Sequence, residues 1–197
     1  WAQSQGIHVI ADEIMTGIGR TGTMLACEHA RIKPDFVCLS KGLTGGWLPF
    51  SCVLIEADIY DLFYHCPPGK HFLHSHTYSG NALGAALALE TLSIMRDELL
   101  CQRSENLSAT LAKLMQHIAH QTGALINVRH IGAIVAADLR PDLVKQNPHL
   151  AKEIARHAIS LGALLRPLGH TIYWFPPLVI DSTLLQRLAD ITLQAIL

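Results

Sequence analysis

The apolar residues of this chain change period part-way along it, and that change constrains the fold more than any single motif. Up to residue 55 they come in short runs, "IHVIADEI" (Ile7 to Ile14), "FVCLS" (Phe36 to Ser40) and "SCVLI" (Ser51 to Ile55), each preceded closely by glycine or proline. Short runs of Val, Ile, Leu and Cys with such boundaries predict buried strands, with a short helical stretch around "MLACEHARI" between the first two. Beyond Asn81 the spacing turns helical through "ALGAALALETLSIMRDELL", and a second helical run covers about Gln102 to Gln121. Strands that alternate with long helices predict an α/β architecture. After Gly123 the texture changes again, to short strands in "LINVRHIGAIVAADL" and "TIYWFPPLVI", one helix near Leu150 to Leu161 and a closing helix from Ser182. Residues 123–197 therefore read as a second, smaller α+β domain after residues 1–122.

Composition narrows the function classes. Half of the 197 residues are hydrophobic and 16% are charged, enough to bury a sizeable core. A net charge of −1 with scattered basic residues leaves no electrostatic footprint for nucleic acid or an anionic membrane. No apolar stretch approaches the ~18 residues of a membrane span, and nothing resembles a signal peptide, so the cytoplasm is the expected compartment. The five cysteines, Cys27, Cys38, Cys52, Cys66 and Cys101, form no CxxC pair and lie mostly in apolar runs, which predicts reduced thiols. The opening "WAQSQG" reads as the last turn of a helix stopped by Gly6, and with no initiator methionine the chain is expected to be a piece of something longer.

Three constellations bear on chemistry. "GIGRTG" (Gly17 to Gly22) satisfies the G-x-G-x-x-G pattern after a strand, but no acidic residue ends the following strand, so a tight glycine turn is the expected reading over a dinucleotide site. "HFLHSH" gathers His71, His74 and His76 without a second ligand cluster, and "YSGNALG" beside it reads as a helix start, so a loop of hydrogen-bonding histidines is expected and no metal. Asp12 and Lys41 each stand at the C-terminal end of a predicted strand. Such ends line the ligand crevice of open α/β sheets, so the two side chains can converge on one small molecule. An aspartate that faces a pyridinium nitrogen and a lysine that forms a Schiff base are what a protein supplies to pyridoxal phosphate; solvated residues at strand ends remain the alternative.

With these residues in place, "IADEIMTGIGRTGTMLACEHARIKPDFVCLSKGLTGGWLP" resembles the class III aminotransferases of the type I pyridoxal phosphate fold. The resemblance continues through "HSHTYSGNALGAALALETL" to "LLRPLGHTIYWFPPLVI" and covers essentially the whole chain. It implies that residues 1–122 are the later part of a large cofactor-binding domain with a mostly parallel sheet and a connecting helix, and that 123–197 are the small C-terminal domain. Within the class, "ACEHA", "CLSKGLTGG" and "RPLGHTIYWFPP" are most similar to the branch that aminates 8-amino-7-oxononanoate in biotin synthesis with S-adenosylmethionine as donor. The ornithine and 4-aminobutyrate branches share "GRTG" and K-x-x-x-GG and differ more around the arginine segment.

Residue by residue, the resemblance implies that Asp12 faces the pyridine nitrogen and keeps the ring protonated. Lys41 is the cofactor-bearing lysine, whose freed amine shuttles a proton and whose pKa is expected to be lowered by burial and a nearby cation. Gly45 and Gly46 let the chain turn away without a side chain. His76, through its backbone, and Thr77 contact the cofactor phosphate from the neighbouring subunit of a homodimer, where many relatives carry Gly-Pro in place of Ser75 and His76. Ser75 stands where the family touches the keto substrate. Arg166 clamps the substrate carboxylate, with Tyr173 a weaker candidate for the same pocket. The family's earlier phosphate loop and ring-stacking aromatic are absent from these residues, so the chain alone is expected to be inactive.

Overall fold

The computed structural model describes residues 1–197, which fall into two units: residues 1–19 with 23–99, and residues 20–22 with 100–197.

In the first unit, β1 (Ile10–Asp12) pairs in parallel with β2 (Phe36–Leu39), and β2 pairs antiparallel with β3 (Cys52–Ile55). β2 is the middle strand, so Val37 and Leu39 point into the unit at 7% exposure each, while β3 keeps its last three residues exposed. Burying two such side chains stabilises the strand by about 1.5–3 kcal/mol apiece. The run "IHVIADEI" forms only a three-residue strand; Asp35 accepts the Val9 N–H through its side chain at 2.7 Å, and Val9 O accepts the N–H groups of Asp35 and Phe36, which carries the pairing back beyond β1. β3 runs antiparallel because the connection from β2 holds only a 3₁₀ turn (Lys41–Thr44), whereas a parallel return needs a longer crossover. "MLACEHARI" is not an α-helix but a 3₁₀ turn over Ala26–Ala30 that Arg31 ends in a left-handed conformation, φ +52.

Two helices complete this unit. α1 (Ala57–Tyr64) has no counterpart in the periodicity, because its apolar residues Leu62, Phe63 and Tyr64 remain exposed. α2 (Ala82–Asp97) begins where the sequence indicates: the Asn81 side chain accepts the Gly84 N–H at 2.9 Å and caps the first turn. Only the stripe Gly84, Ala88, Met95 of this largely apolar helix is buried.

The second unit holds the hydrophobic core. A meander of β4 (Leu125–Ile131), β5 (Ile134–Leu139) and β6 (Thr171–Trp174) is antiparallel throughout, so "LINVRHIGAIVAADL" is a hairpin turning at Gly132. α3 (Leu100–Thr122) buries Leu111, Met115 and Ile118 at helical spacing and ends at Gly123, whose φ of +61 and N–H bond to Ala119 O close the helix. α4 (Pro141–Gln146) follows β5, α5 (Leu150–Ser160) packs its alanines inward, and α6 (Ser182–Ile196) is capped by the Asp181 carboxylate on the Leu184 N–H at 2.8 Å. Trp174, 1% exposed, sits in this core and donates from Nε1 to Thr192 Oγ1 at 3.1 Å, so its one polar atom is satisfied. No helix is long and apolar enough to cross a membrane, and all five cysteines are free.

Candidate active site

Parallel pairing sets Asp12 opposite Cys38, and Lys41 lies three residues past Cys38 at the same end of the sheet. Asp12 Oδ1 accepts the Ile14 N–H at 3.1 Å, which orients the carboxylate and leaves its second oxygen uncommitted. Lys41 opens the 3₁₀ turn in a left-handed conformation, φ +43, and its ammonium makes no ion pair. Both side chains are exposed in this chain, and no element of the chain covers the lysine.

The loop that carries Lys41 is held from below by hydroxyl groups. Ser40 Oγ donates to Phe50 O at 2.8 Å, and Thr44, 1% exposed, donates to Leu48 O at 2.7 Å. Gly45 and Gly46 adopt φ +60 and +85, which turns the chain away beyond the lysine. α2 supports the same loop, since a Cβ at Gly84 would lie 2.5 Å from the Phe50 ring.

Glu13 is the residue that sequence reasoning passed over. Only 3% exposed, it accepts the Cys27 N–H at 2.7 Å on Oε1 and the Thr16 hydroxyl on Oε2. Burial pushes this carboxyl up, but the Thr16 hydroxyl, the Cys27 and Ala26 N–H groups and the Cys27 thiol together hold it below its ordinary value. The same carboxylate raises the Cys27 thiol, after burial as the leading cause. The signal was present in "ADE": neighbours on a strand face opposite ways, so an outward Asp12 demands an inward Glu13.

The glycine pattern "GIGRTG" shows why no dinucleotide loop forms. A Cβ at Gly17 would meet Glu13 O at 2.8 Å and the Leu39 side chain at 3.1 Å, so this glycine exists to pack under β2. Arg20, Thr21 and Gly22 belong to the second unit, where the Arg20 guanidinium lies 3.9 Å from the Phe175 ring centroid and donates to Pro176 O. Burial lowers the pKa of Arg20 to about 10. The chain beyond Gly22 enters a 3₁₀ turn, not the helix N-terminus that a pyrophosphate requires.

Ser75, His76 and Thr77 lie on an exposed loop ahead of α2. His76 ties this loop by donating its N–H to Ser79 Oγ at 3.1 Å and accepting the Tyr78 N–H on Nδ1 at 3.2 Å, whereas the Thr77 hydroxyl makes no hydrogen bond. His71 Nδ1 contacts Cys66 Sγ at 3.2 Å, and no group of three potential metal ligands forms. Arg166 belongs to the second unit, on an extended segment where buried Ala163 and Leu165 alternate with exposed Leu164, Arg166 and Leu168. Its side chain therefore faces away from the core of that unit. Tyr173 is half-buried on β6, between buried Ile172 and Trp174.

Residues 1–196 match the family profile described as Aminotransferase class-III. The chain belongs to the class III aminotransferases. Among relatives, the adenosylmethionine-8-amino-7-oxononanoate aminotransferase of Helicobacter pylori is 40% identical over 182 residues, covering 90% of this chain and 41% of that protein. The ornithine aminotransferase of Saccharomyces cerevisiae is 39% identical over 188 residues, covering 93% and 42%. Among solved structures, the ornithine aminotransferase of Toxoplasma gondii, described with partial occupancy of PLP at its active site, superposes with a TM-score of 0.84 at 28% identity, covering 99% of this chain and 44% of that one. The chain thus spans about two-fifths of the length of the relatives it matches.

Class III aminotransferases depend on pyridoxal phosphate, and the donor set here suits that group: a carboxylate with one free oxygen and an unpaired ammonium at neighbouring strand ends, with open space at the Gly46 Cα where a Cβ would otherwise stand.

Proposed function

We propose that this chain is the part of an aminotransferase that carries the cofactor lysine, and that the enzyme transfers an amino group from S-adenosylmethionine to 8-amino-7-oxononanoate, giving 7,8-diaminononanoate in biotin synthesis. The observation that carries the cofactor assignment is the parallel register, which puts Asp12 and Lys41 at the same end of adjacent strands. The substrate assignment is supported by the 40% identity to the Helicobacter pylori protein named for that reaction. The 39% identity to yeast ornithine aminotransferase supports a second reading, another class III substrate of the ornithine or 4-aminobutyrate type.

Pyridoxal phosphate, when bound, supplies an electron-accepting ring. Asp12 would hold the ring-nitrogen end of that group and favour its protonated form. Lys41 Nζ takes and returns the proton that moves during transfer. Thr77, with the backbone of His76, binds phosphate from the partner copy of a homodimer, and Ser75 touches the keto substrate. Arg166 holds the acceptor's carboxylate through its paired N–H groups; its exposure and outward direction leave it available to an anion. In this reading residues 1–122 serve as the later part of the large domain and 123–197 as the small domain.

The test compares two donors in the full-length aminotransferase that carries these residues. Amination of 8-amino-7-oxononanoate by S-adenosylmethionine, followed as diaminononanoate by mass spectrometry, is the expected activity. Transfer from ornithine with no diaminononanoate would establish the second reading instead.

A further inference from the structure

Four non-glycine residues of the first unit hold left-handed backbone conformations, Ile18 at φ +55, Arg31 at +52, Lys41 at +43 and Leu99 at +51, and two of them, Ile18 and Lys41, meet through Gly42. For a β-branched residue this conformation is a genuine outlier, because Cβ crowds the following carbonyl. Ile18 is nevertheless 7% exposed and held on both sides: Gly17 packs on Leu39 before it, and Gly19, φ +80, donates to Met24 O after it. The strain sets the side chain against the residue after the lysine. A Cβ added at Gly42 would lie 3.4 Å from Ile18 Cβ, 3.7 Å from Cγ2 and 3.8 Å from Cγ1. The Gly42 Cα therefore rests on the isoleucine with no side chain between them.

We propose that Ile18 is a positioning residue for Lys41: its strained turn makes the wall that backs Gly42 and fixes the left-handed turn from which the lysine side chain starts. Strain of this kind persists only where surrounding packing over-determines it, and it gathers at functional sites. The Ser40 and Thr44 hydroxyls anchor the two ends of the turn, on Phe50 O and Leu48 O, and Ile18 backs its middle at Gly42. Within the turn, N–H bonds run from Leu43 to Ser40 O and from Gly45 to Gly42 O, each at 3.0 Å, and the lysine side chain is tied to nothing. Without the wall, Lys41 relaxes toward the right-handed region that L residues prefer, and its side chain leaves the turn in a different direction. The value of this for catalysis rests on Lys41 being the cofactor lysine; the positioning itself does not.

The experiment is amide hydrogen exchange by mass spectrometry on the full-length aminotransferase that carries these residues, comparing peptides that cover 41–45 with peptides that cover β2. Ile18→Gly removes the wall and relieves the strain, since glycine takes this conformation freely. The expected result is exchange in 41–45 about tenfold faster with β2 unchanged, the signature of a local opening. Ile18→Leu keeps a wall and should retain wild-type exchange at 41–45. Equal acceleration of both peptides, wild-type exchange of 41–45 in the glycine variant, or a leucine variant as open as the glycine one would each overturn the proposal, because a merely structural isoleucine loosens the whole unit or nothing. In parallel, borohydride trapping with pyridoxal phosphate reads the share of pyridoxyl mass on Lys41 against Lys113, Lys145 and Lys152. No preference for Lys41 in the wild-type full-length enzyme would count against the cofactor assignment, while the exchange result stands independently.

Discussion

Glu13 Oε1 accepts the Cys27 N–H at 2.7 Å, a bond that spans fourteen residues and ties the loop after β1 back to the strand's own end. A buried carboxylate with its donors satisfied rigidifies the loop that follows Asp12 and holds Ile18, so its loss should be felt throughout the first unit.

Glu13→Gln replaces an acceptor-only group by one whose NH2 must face N–H donors. The expected cost is about 1–3 kcal/mol in urea unfolding near neutral pH. Because the Glu13 carboxyl is held below its ordinary value, its stabilisation is complete above about pH 4.3 and is lost as the pH falls through the lowered folded value. The glutamine variant should therefore lack that part of the acid sensitivity. Parallel pH profiles for the two proteins below about pH 4.3 would remove Glu13 from the account.

Lys41→Arg keeps the positive charge at the strand end and removes a primary amine. A guanidinium stays protonated and cannot take up or return the transferred proton, so the full-length enzyme should lose turnover while still folding. The check is peptide mapping after borohydride reduction with pyridoxal phosphate: the wild type carries pyridoxyl mass on Lys41, and label on another lysine rejects the site.

Arg166→Ala removes the proposed carboxylate clamp. Losing a charge-assisted hydrogen bond to an anion costs about 1.5–3 kcal/mol, so KM for the keto acid should rise roughly tenfold or more. Cofactor absorbance should hardly change. Steady-state kinetics showing an unaltered KM would take Arg166 out of the pocket.

The isolated chain should associate and should not turn over substrate. It exposes 12677 Å² of surface, against about 9,200 Å² for a folded monomer of its 21.6 kDa by the usual scaling with mass. Apolar side chains of the first unit contribute to this surface: Val53, Leu54 and Ile55 of β3 and Leu62 and Tyr64 of α1 are all at least 40% exposed. An open strand carrying such residues pairs with other chains. Light scattering across a concentration series should show growing mass; a stable monomer that binds pyridoxal phosphate stoichiometrically and makes diaminononanoate would refute this.

Local pattern was enough to read much of the secondary structure. Helices α2, α3, α5 and α6 announce themselves through apolar spacing and through Asn81, Gly123 and Asp181 at their ends, because caps and periodicity are interactions among near neighbours. The strand-end positions of Asp12 and Lys41 were legible for the same reason. The features that the sequence could not disclose depend on partners far along the chain. The antiparallel direction of β3 follows from how β2 is paired, and α1 buries too little apolar surface to leave a period. The inward side of Glu13 was legible in strand alternation but its partner Cys27 was not, Ile18 is strained because Gly42 rests on it, and Arg20 joins the second unit because Phe175 and Pro176 receive it. Side-chain period reports only which face a residue takes; packing between distant segments decides what meets it there.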